Sequence, residues 1–409
     1  MERTQVLVVG GGIGGLALSL SLGRRGRKVH VIERAPAFVE IGAGIQLAPN
    51  ASWALDQLGV LKEIHSFAVF PQRLVWMDST SGEQLTSMDL GEPFLARYGY
   101  PYFVMHRSDL LDVLLKACQA ESNITLEANR EASTVEDRSS TTVVTCTDGS
   151  GYEADIVIGA DGLRSRVRKA IFNDGEPVCS AYVAYRGTIP IGEVSASVGF
   201  EAVIVWTGPD RHLVQYPVRR GELYNQVAVF KSRRYRAGGA GDDWGLPDEL
   251  DEMFASGTDL VRSGIAQMGR QRRWPMYDRL PVTTWTRNRV TLLGDAAHPM
   301  LQYLAQGAAQ ALEDTAVLGA MLADHPASTD PAPVLRAYEA ERAPRTARVQ
   351  TQARTWGDYW HLHPGPLKAG RDAMLQTRSA TDYSASDWYY GYRGGVTLSR
   401  SQGRLNLER

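Results

Sequence analysis

Residues 5–33 read QVLVVGGGIGGLALSLSLGRRGRKVHVIE. Gln5 to Val9 is a continuous apolar run of the kind found in parallel strands covered on both faces. Glycines follow at once, and LALSLSLGRRG then reads as a helix closing near Gly26. Lys28 to Glu33 is a second strand, which completes a βαβ unit of about 30 residues. Gly10, Gly12 and Gly15 satisfy G-x-G-x-x-G, with Ile13 and Gly14 between them. The first glycine permits the tight turn, the second lets backbone approach a pyrophosphate, and the third lets helix and strand pack closely. The helix N-terminus offers free N–H groups and a positive dipole end to phosphate. Glu33, at the end of the second strand, is placed to accept hydrogen bonds from ribose hydroxyls. An acid there disfavours a 2′-phosphate, so FAD or NAD is expected rather than NADP.

Around this unit the chain is long and ordinary in composition. Its 409 residues predict two or three domains. A net charge of -2 gives no field that would recruit nucleic acid or a membrane surface. Cys118, Cys146 and Cys179 show neither disulfide nor metal spacing, so no metal is expected. No run approaches the roughly 20 apolar residues of a membrane span. The N-terminus lacks the regions of a signal peptide, which makes the cytoplasm the expected compartment. Glycine is the mild excess, 40 residues in all.

Residues 106–120 have helical periodicity, with Ser108 or Asp109 as the expected cap. From about 180 to 274 the texture changes to alternating, aromatic-rich strands (VAYRGTIP, AVIVWTG, HLVQYPV, LYNQVAVF), which predicts antiparallel sheet. Residues 233–245 form a glycine-rich, charged loop. The α/β texture returns at RVTLLGDAAHP, and the tail is helical and then rich in Trp and Tyr. The expected fold class is therefore α/β: a Rossmann-like dinucleotide-binding domain, discontinuous in sequence, with an inserted, mainly antiparallel β-sheet substrate domain and a helical C-terminal segment. The expected divisions are 1–75, 100–179 and 275–345 for the first, 76–99 and 180–274 for the second, and 346–409 for the third.

Two further runs sit at the ends of apolar strands, where open α/β sheets bind ligands. GADGLRSRVR (159–168) follows ADIVI, and GDAAHP (294–299) follows VTLL. With the N-terminal glycine loop, they resemble the three signatures of the single-component flavoprotein aromatic hydroxylases, in order and at similar spacing. The resemblance covers nearly the whole chain. It implies FAD as bound cofactor, NADH or NADPH as transient electron donor, and O2 as co-substrate. It implies Glu33 and the adjacent Arg34 at the ribose, Arg107 at the phosphate–ribitol region, Asp161 near the pyrophosphate, and Asp295 at the ribitol. Gly307 and Ala308 open the helix expected to face the pyrimidine side of the flavin. Where many relatives carry G-x-N after the GD motif, this chain has Leu304-Ala305-Gln306-Gly307-Ala308-Ala309-Gln310. His298 in the GD motif reads as a packed structural residue.

PYFVMHRSDL, AYRGTIP, HLVQYP, WPMYDR, GDAAHPMLQYLAQGA and DWYYGY resemble most closely the 3-hydroxybenzoate 6-monooxygenases, which make gentisate. That resemblance implies a small aromatic acid as substrate and para-hydroxylation through a C4a-hydroperoxyflavin. Salicylate and 6-hydroxynicotinate hydroxylases are similar too, and a non-hydroxylating FAD oxidoreductase of the same fold is the alternative. An electrophilic oxygen needs an electron-rich ring, so the site needs a group that takes a phenolic proton. On the strand HLVQY, His212 and Tyr216 are four residues apart and share a face. His212 is the expected base or relay, because imidazole titrates near working pH. Tyr216, Gln302 and Tyr102 complete the set that the resemblance implies around the aromatic ring. The Trp- and Tyr-rich tail reads equally as a homodimer contact or as packing onto its own chain.

Overall fold

A computed structural model of the protein describes residues 2–39, 42–138, 140–195, 197, 199–237, 243–326 and 329–394. The opening unit forms as expected: strand Glu2–Val9, helix Ile13–Gly23 and strand Val29–Ile32. The helix is apolar on all sides and almost wholly buried, as its place between sheet and neighbouring helices requires. Glu2–Val9 lies between Gly151–Gly159 and Val29–Ile32, parallel to both, and Val290–Leu292 adds in parallel beyond Gly151–Gly159. In that register Val9 stands beside Gly159, and Gly159 beside Leu292. The three motif loops therefore leave the sheet at one level, side by side.

A second sheet holds seven strands, ordered Trp274–Asp278, Val178–Pro190, Leu223–Lys231, Arg211–Val218, Ala202–Gly208, Arg73–Asp78 and Gln84–Asp89. It is antiparallel except at one join, where Arg73–Asp78 runs parallel to Ala202–Gly208. Strand Arg211–Val218 is buried along its whole length. Alternation still operates: Leu213 packs against the helices Pro247–Phe254 and Asp259–Ala266, while Val214 and Tyr216 join the opposite cluster. The second sheet thus turns one covered face toward the first. Of the glycine-rich loop at 233–245, residues 238–242 lie outside the described residues, as do 395–409 of the tail.

The helix Arg107–Gln119 is capped by neither Ser108 nor Asp109. The strand Phe103–His106 runs directly into it, and the His106 ring accepts from the Ser108 N–H at 3.3 Å. The described tail folds back on its own chain. Asp387 pairs with Arg97 and accepts from the Tyr98 hydroxyl, while Tyr390 packs on Phe94 and Tyr102. Among the described residues no helix is long and apolar enough to cross a membrane.

A buried ion cluster fixes the helix Gly307–Ala323. Arg342, from the long helix Ala332–Trp360, donates to Asp314 at 2.7 Å and to Glu313 at 2.6 Å, and Arg345 also donates to Glu313. Asn50 adds a bond to Glu313, and His298 reaches Asp314 at 2.6 Å, the packed structural part expected of it. Together, Arg342 and His298 hold the Asp314 carboxyl down near 2 despite its burial. Removing one partner of a buried pair costs about 3–5 kcal/mol, because the other charge stays buried. Arg342→Met is expected to lower stability by about that amount, read as a lower urea midpoint of the far-UV circular dichroism signal.

Candidate active site

The three loops and the second sheet enclose one cavity of about 810 Å³. Its first half is backbone. Gly10 has φ +111°, and a Cβ there would lie 2.4 Å from the Ala160 oxygen, so neither conformation nor space admits a side chain. Gly15 does not line the cavity. It backs the turn, where a Cβ would meet the Gly10 oxygen at 2.0 Å. Gly12 is the converse: a Cβ there would meet nothing within 4 Å and would project into open space. Ile13 and Gly14 line the same wall. The helix behind them starts with no side-chain cap and leaves its first N–H groups to whatever binds there.

Glu33 and Arg34 line the cavity beside this loop. The Glu33 carboxylate accepts from the Gly11 and Ala35 N–H groups at 2.8 and 2.9 Å, which holds the glycine loop to the second strand. Asp161 also borders the cavity, but its carboxylate accepts from the Ser165 hydroxyl and the Arg166 and Val167 N–H groups, capping the following short helix. Burial pushes its carboxyl up, and those hydrogen bonds draw it partly back. Asp295 is deep among protein atoms, yet its side chain is exposed, because the surface it shows is the cavity wall. Burial raises its carboxyl too, with Arg107 and His298 opposing. Arg107 heads its helix at the same wall, and Gly307 and Ala308 open the helix Gly307–Ala323 there, again with no side-chain cap.

These features fit a flavin dinucleotide. Amide-rich walls at two helix N-termini suit its pyrophosphate and the pyrimidine side of its flavin, the open face of Gly12 leaves room for phosphate, and Glu33 and Asp295 suit ribose and ribitol hydroxyls.

The second half of the cavity is aromatic and polar. His212, Val214 and Tyr216 all face it, as the strand period requires. Tyr102 lines the same space, and its hydroxyl donates to Gln46 at 2.6 Å. Gln302, in the short turn after the GD motif, has its amide nitrogen 3.4 Å from His212 Nε2. The sequence-predicted ring-site residues therefore share one chamber, continuous with the glycine loop.

One residue of this chamber, Arg186, and two behind it, His361 and Tyr182, escaped the sequence reading. Arg186, from the quoted AYRG strand, donates to Gln302 Oε1 at 2.7 Å and makes no ion pair among the described residues. His361 meets His212 Nδ1 at 2.9 Å, and Tyr182 meets His361 at 3.0 Å. Burial, with the charges of His361 and Arg186, pushes the His212 pKa well below that of ordinary imidazole, so the ring is neutral. Burial holds the phenols of Tyr102 and Tyr216 protonated.

Residues 3–353 match the FAD binding domain family. The chain belongs to that family. It is 36% identical over 393 residues to 3-hydroxybenzoate 6-hydroxylase 1 of Aquipseudomonas alcaligenes, covering 95% of this chain and 98% of that protein. Identity to the 3-hydroxybenzoate 6-hydroxylase of Klebsiella oxytoca is 38% over 392 residues, covering 95% and 97% of the two chains. Among solved structures, a single-substitution variant of HpxO from Klebsiella pneumoniae complexed with FAD superposes with a TM-score of 0.81 at 27% identity, covering 92% of this chain and 95% of that one. The protein is thus a FAD-dependent aromatic-ring monooxygenase that uses NAD(P)H and O2.

Because Gly12 has φ -75° and open space, Gly12→Asp should fold normally while setting a carboxylate where phosphate must go. We expect a purified variant with unchanged circular dichroism and at least a hundredfold weaker retention of FAD, read from flavin absorbance after gel filtration.

Proposed function

We propose that the enzyme hydroxylates a small aromatic acid bearing a ring hydroxyl, and that this substrate is 3-hydroxybenzoate, converted to gentisate by attack para to the existing hydroxyl. Arg186 carries the reading. It is a guanidinium set deep among protein atoms and exposed only in part, at the chamber wall; its only hydrogen bond among the described residues goes to a neutral amide, and desolvation lowers its pKa. A buried cation without a counter-charge is costly, and an anionic ligand repays that cost. A planar carboxylate suits the guanidinium fork.

The names of relatives agree in chemistry. Besides the two 3-hydroxybenzoate hydroxylases, the chain resembles 3-amino-4-hydroxybenzoate 2-monooxygenase of Streptomyces cremeus (36% identity) and 6-hydroxynicotinate 3-monooxygenase of Bordetella bronchiseptica (33%). Each named substrate joins a carboxylate to a ring hydroxyl. The three 3-hydroxybenzoate enzymes are 36–38% identical to this chain, against 36% and 33% for the other two.

Bound FAD, once reduced, supplies with O2 an electrophilic oxygen. The chain's own residues must prepare the ring for it. Arg186 anchors the carboxylate, and Val214 with the surrounding aromatic side chains excludes water. The neutral His212 accepts the phenolic proton at Nε2, which leaves the carbons ortho and para to the oxygen electron-rich.

Two measurements test this. With 3-hydroxybenzoate, salicylate, 6-hydroxynicotinate and 3-amino-4-hydroxybenzoate offered in turn, 3-hydroxybenzoate should accelerate NADH oxidation and give about one gentisate per NADH. Acceleration without gentisate would rule that substrate out. Arg186→Met should raise KM for the acid by about a hundredfold, equal to the ~2.7 kcal/mol of a lost buried charge contact. The same change should move KM for a ring lacking the carboxylate less than threefold.

A further inference from the structure

A line of hydrogen bonds leaves the chamber along the same face of the second sheet. His212 Nδ1 lies 2.9 Å from His361 Nε2, and the two rings stack at 5.1 Å and 20°. His361 Nδ1 lies 3.0 Å from the Tyr182 hydroxyl, with those rings stacked at 4.8 Å and 19°. Tyr182 reaches Asp210 Oδ1 at 3.5 Å. Asp210 Oδ2 meets His363 Nε2 at 2.9 Å, and the His363 side chain is 68% exposed. The line thus joins a fully buried imidazole to water through three elements that are remote in sequence.

The direction of every bond is fixed from the chamber end. Arg186 can only donate, so Gln302 receives it with Oε1 and must turn its amide N–H toward His212 Nε2. His212 therefore carries its proton on Nδ1, and its single Nε2 lone pair faces the Gln302 amide at 3.4 Å, a long contact that the substrate hydroxyl must displace. Its Nδ1–H donates to His361 Nε2, so His361 carries its own proton on Nδ1 and donates to Tyr182. The Tyr182 O–H is then left to donate to Asp210. Every member accepts on the chamber side and donates on the solvent side. That order requires both rings to be neutral, since a doubly protonated imidazole has no lone pair. Burial, reinforced by the charges of Lys231 and Arg371, pushes His361 down to about 3.

The geometry points to His361, Tyr182 and Asp210 as a proton relay that carries the substrate's phenolic proton from His212 to solvent at His363. The idea rests on the phenolic substrate proposed above. In the outward transfer the phenol O–H bond breaks and its electron pair stays on oxygen, while His212 Nε2 gains the proton. The Nδ1–H proton of His212 passes to His361 Nε2, and that of His361 Nδ1 passes to Tyr182. The original Tyr182 proton goes to the Asp210 carboxylate and on to water or His363. All bonds in the line now point inward, so the relay can next return one proton to the product's phenolate oxygen. That return resets both rings, and the cycle is balanced in protons. His361 and Tyr182 touch neither ring nor cofactor; they act through His212.

Tyr182→Phe removes the hydroxyl and keeps the stacked ring. Asp210→Asn removes the proton-accepting carboxylate at a turn position with φ +55°, which asparagine tolerates. Each FAD-loaded variant is mixed anaerobically with 3-hydroxybenzoate in weak buffer, and phenolate absorbance and dye-reported proton release are followed by stopped flow. Wild type should release about one proton per phenolate formed. Both variants should bind substrate within threefold of wild type but form phenolate at least tenfold more slowly, with a lower yield of hydroxylated product per NADH. Variant rates within twofold of wild type would overturn the relay alone and send the proton out by the cavity mouth. A wild-type enzyme that forms no phenolate with any of the phenolic acids named above would overturn the substrate reading, and the relay with it.

Discussion

The alignment of three parallel strand ends, Val9, Gly159 and Leu292, is the constraint on which the rest of the structure depends. Register is fixed here because the ends Val6–Val9, Ile156–Gly159 and Val290–Leu292 are buried, and a one-residue shift would exchange every side chain between the two faces. Once the ends are level, a glycine turn, a capped short helix and the GD turn emerge together. Each contributes what a strand end can give: free amides, a small residue and an acid. Asp161 spends its carboxylate on capping its own segment, while Asp295 keeps its carboxylate facing the cavity. The same motif grammar thus yields one structural acid and one available acid.

The ion cluster behind the cavity serves the same alignment from the other side. The helix Gly307–Ala323 must point its uncapped end at the cavity, and an end with free amides gains nothing from its own first turn. Arg342 and Arg345, holding Glu313 and Asp314, tie that helix to the long C-terminal one. Charges that would be expensive singly are tolerable because each carboxylate oxygen finds a donor.

Much of this was legible in the sequence, and the division is physical. The βαβ opening is a local pattern: apolar run, glycines, helix, strand, all inside about 30 residues. The shared face of His212, Val214 and Tyr216 follows from strand period alone. The helix cap at 107–119 was misread because cap preferences favour Ser and Asp, whereas the strand enters the helix without a turn and leaves His106 in the capping place. Arg186 sits in an ordinary strand and becomes a chamber residue only when that strand pairs with Leu223–Lys231, next to the His212 strand. His361 lies 149 residues beyond His212, in a tail whose aromatic composition fits a dimer contact as well as a fold-back. No spacing rule links residues whose contact depends on the docking of separate elements.

The chamber keeps its charge and its proton-accepting groups apart. Arg186 is the cation, and it reaches His212 only through a neutral amide, Gln302. A direct Arg–His contact would put a full positive charge against Nε2 and oppose its taking a proton. The intervening amide keeps that charge one residue away, because its oxygen takes the guanidinium while its neutral N–H faces the Nε2 lone pair. A lysine would not serve equally: its ammonium is a rotating point charge and would not present the flat fork that engages an amide oxygen and a carboxylate side by side. The choice of Arg at 186, Gln at 302 and His at 212 is therefore one decision rather than three. Cation, amide and imidazole form a line in which a charge fixed at one end dictates where the proton sits at the other.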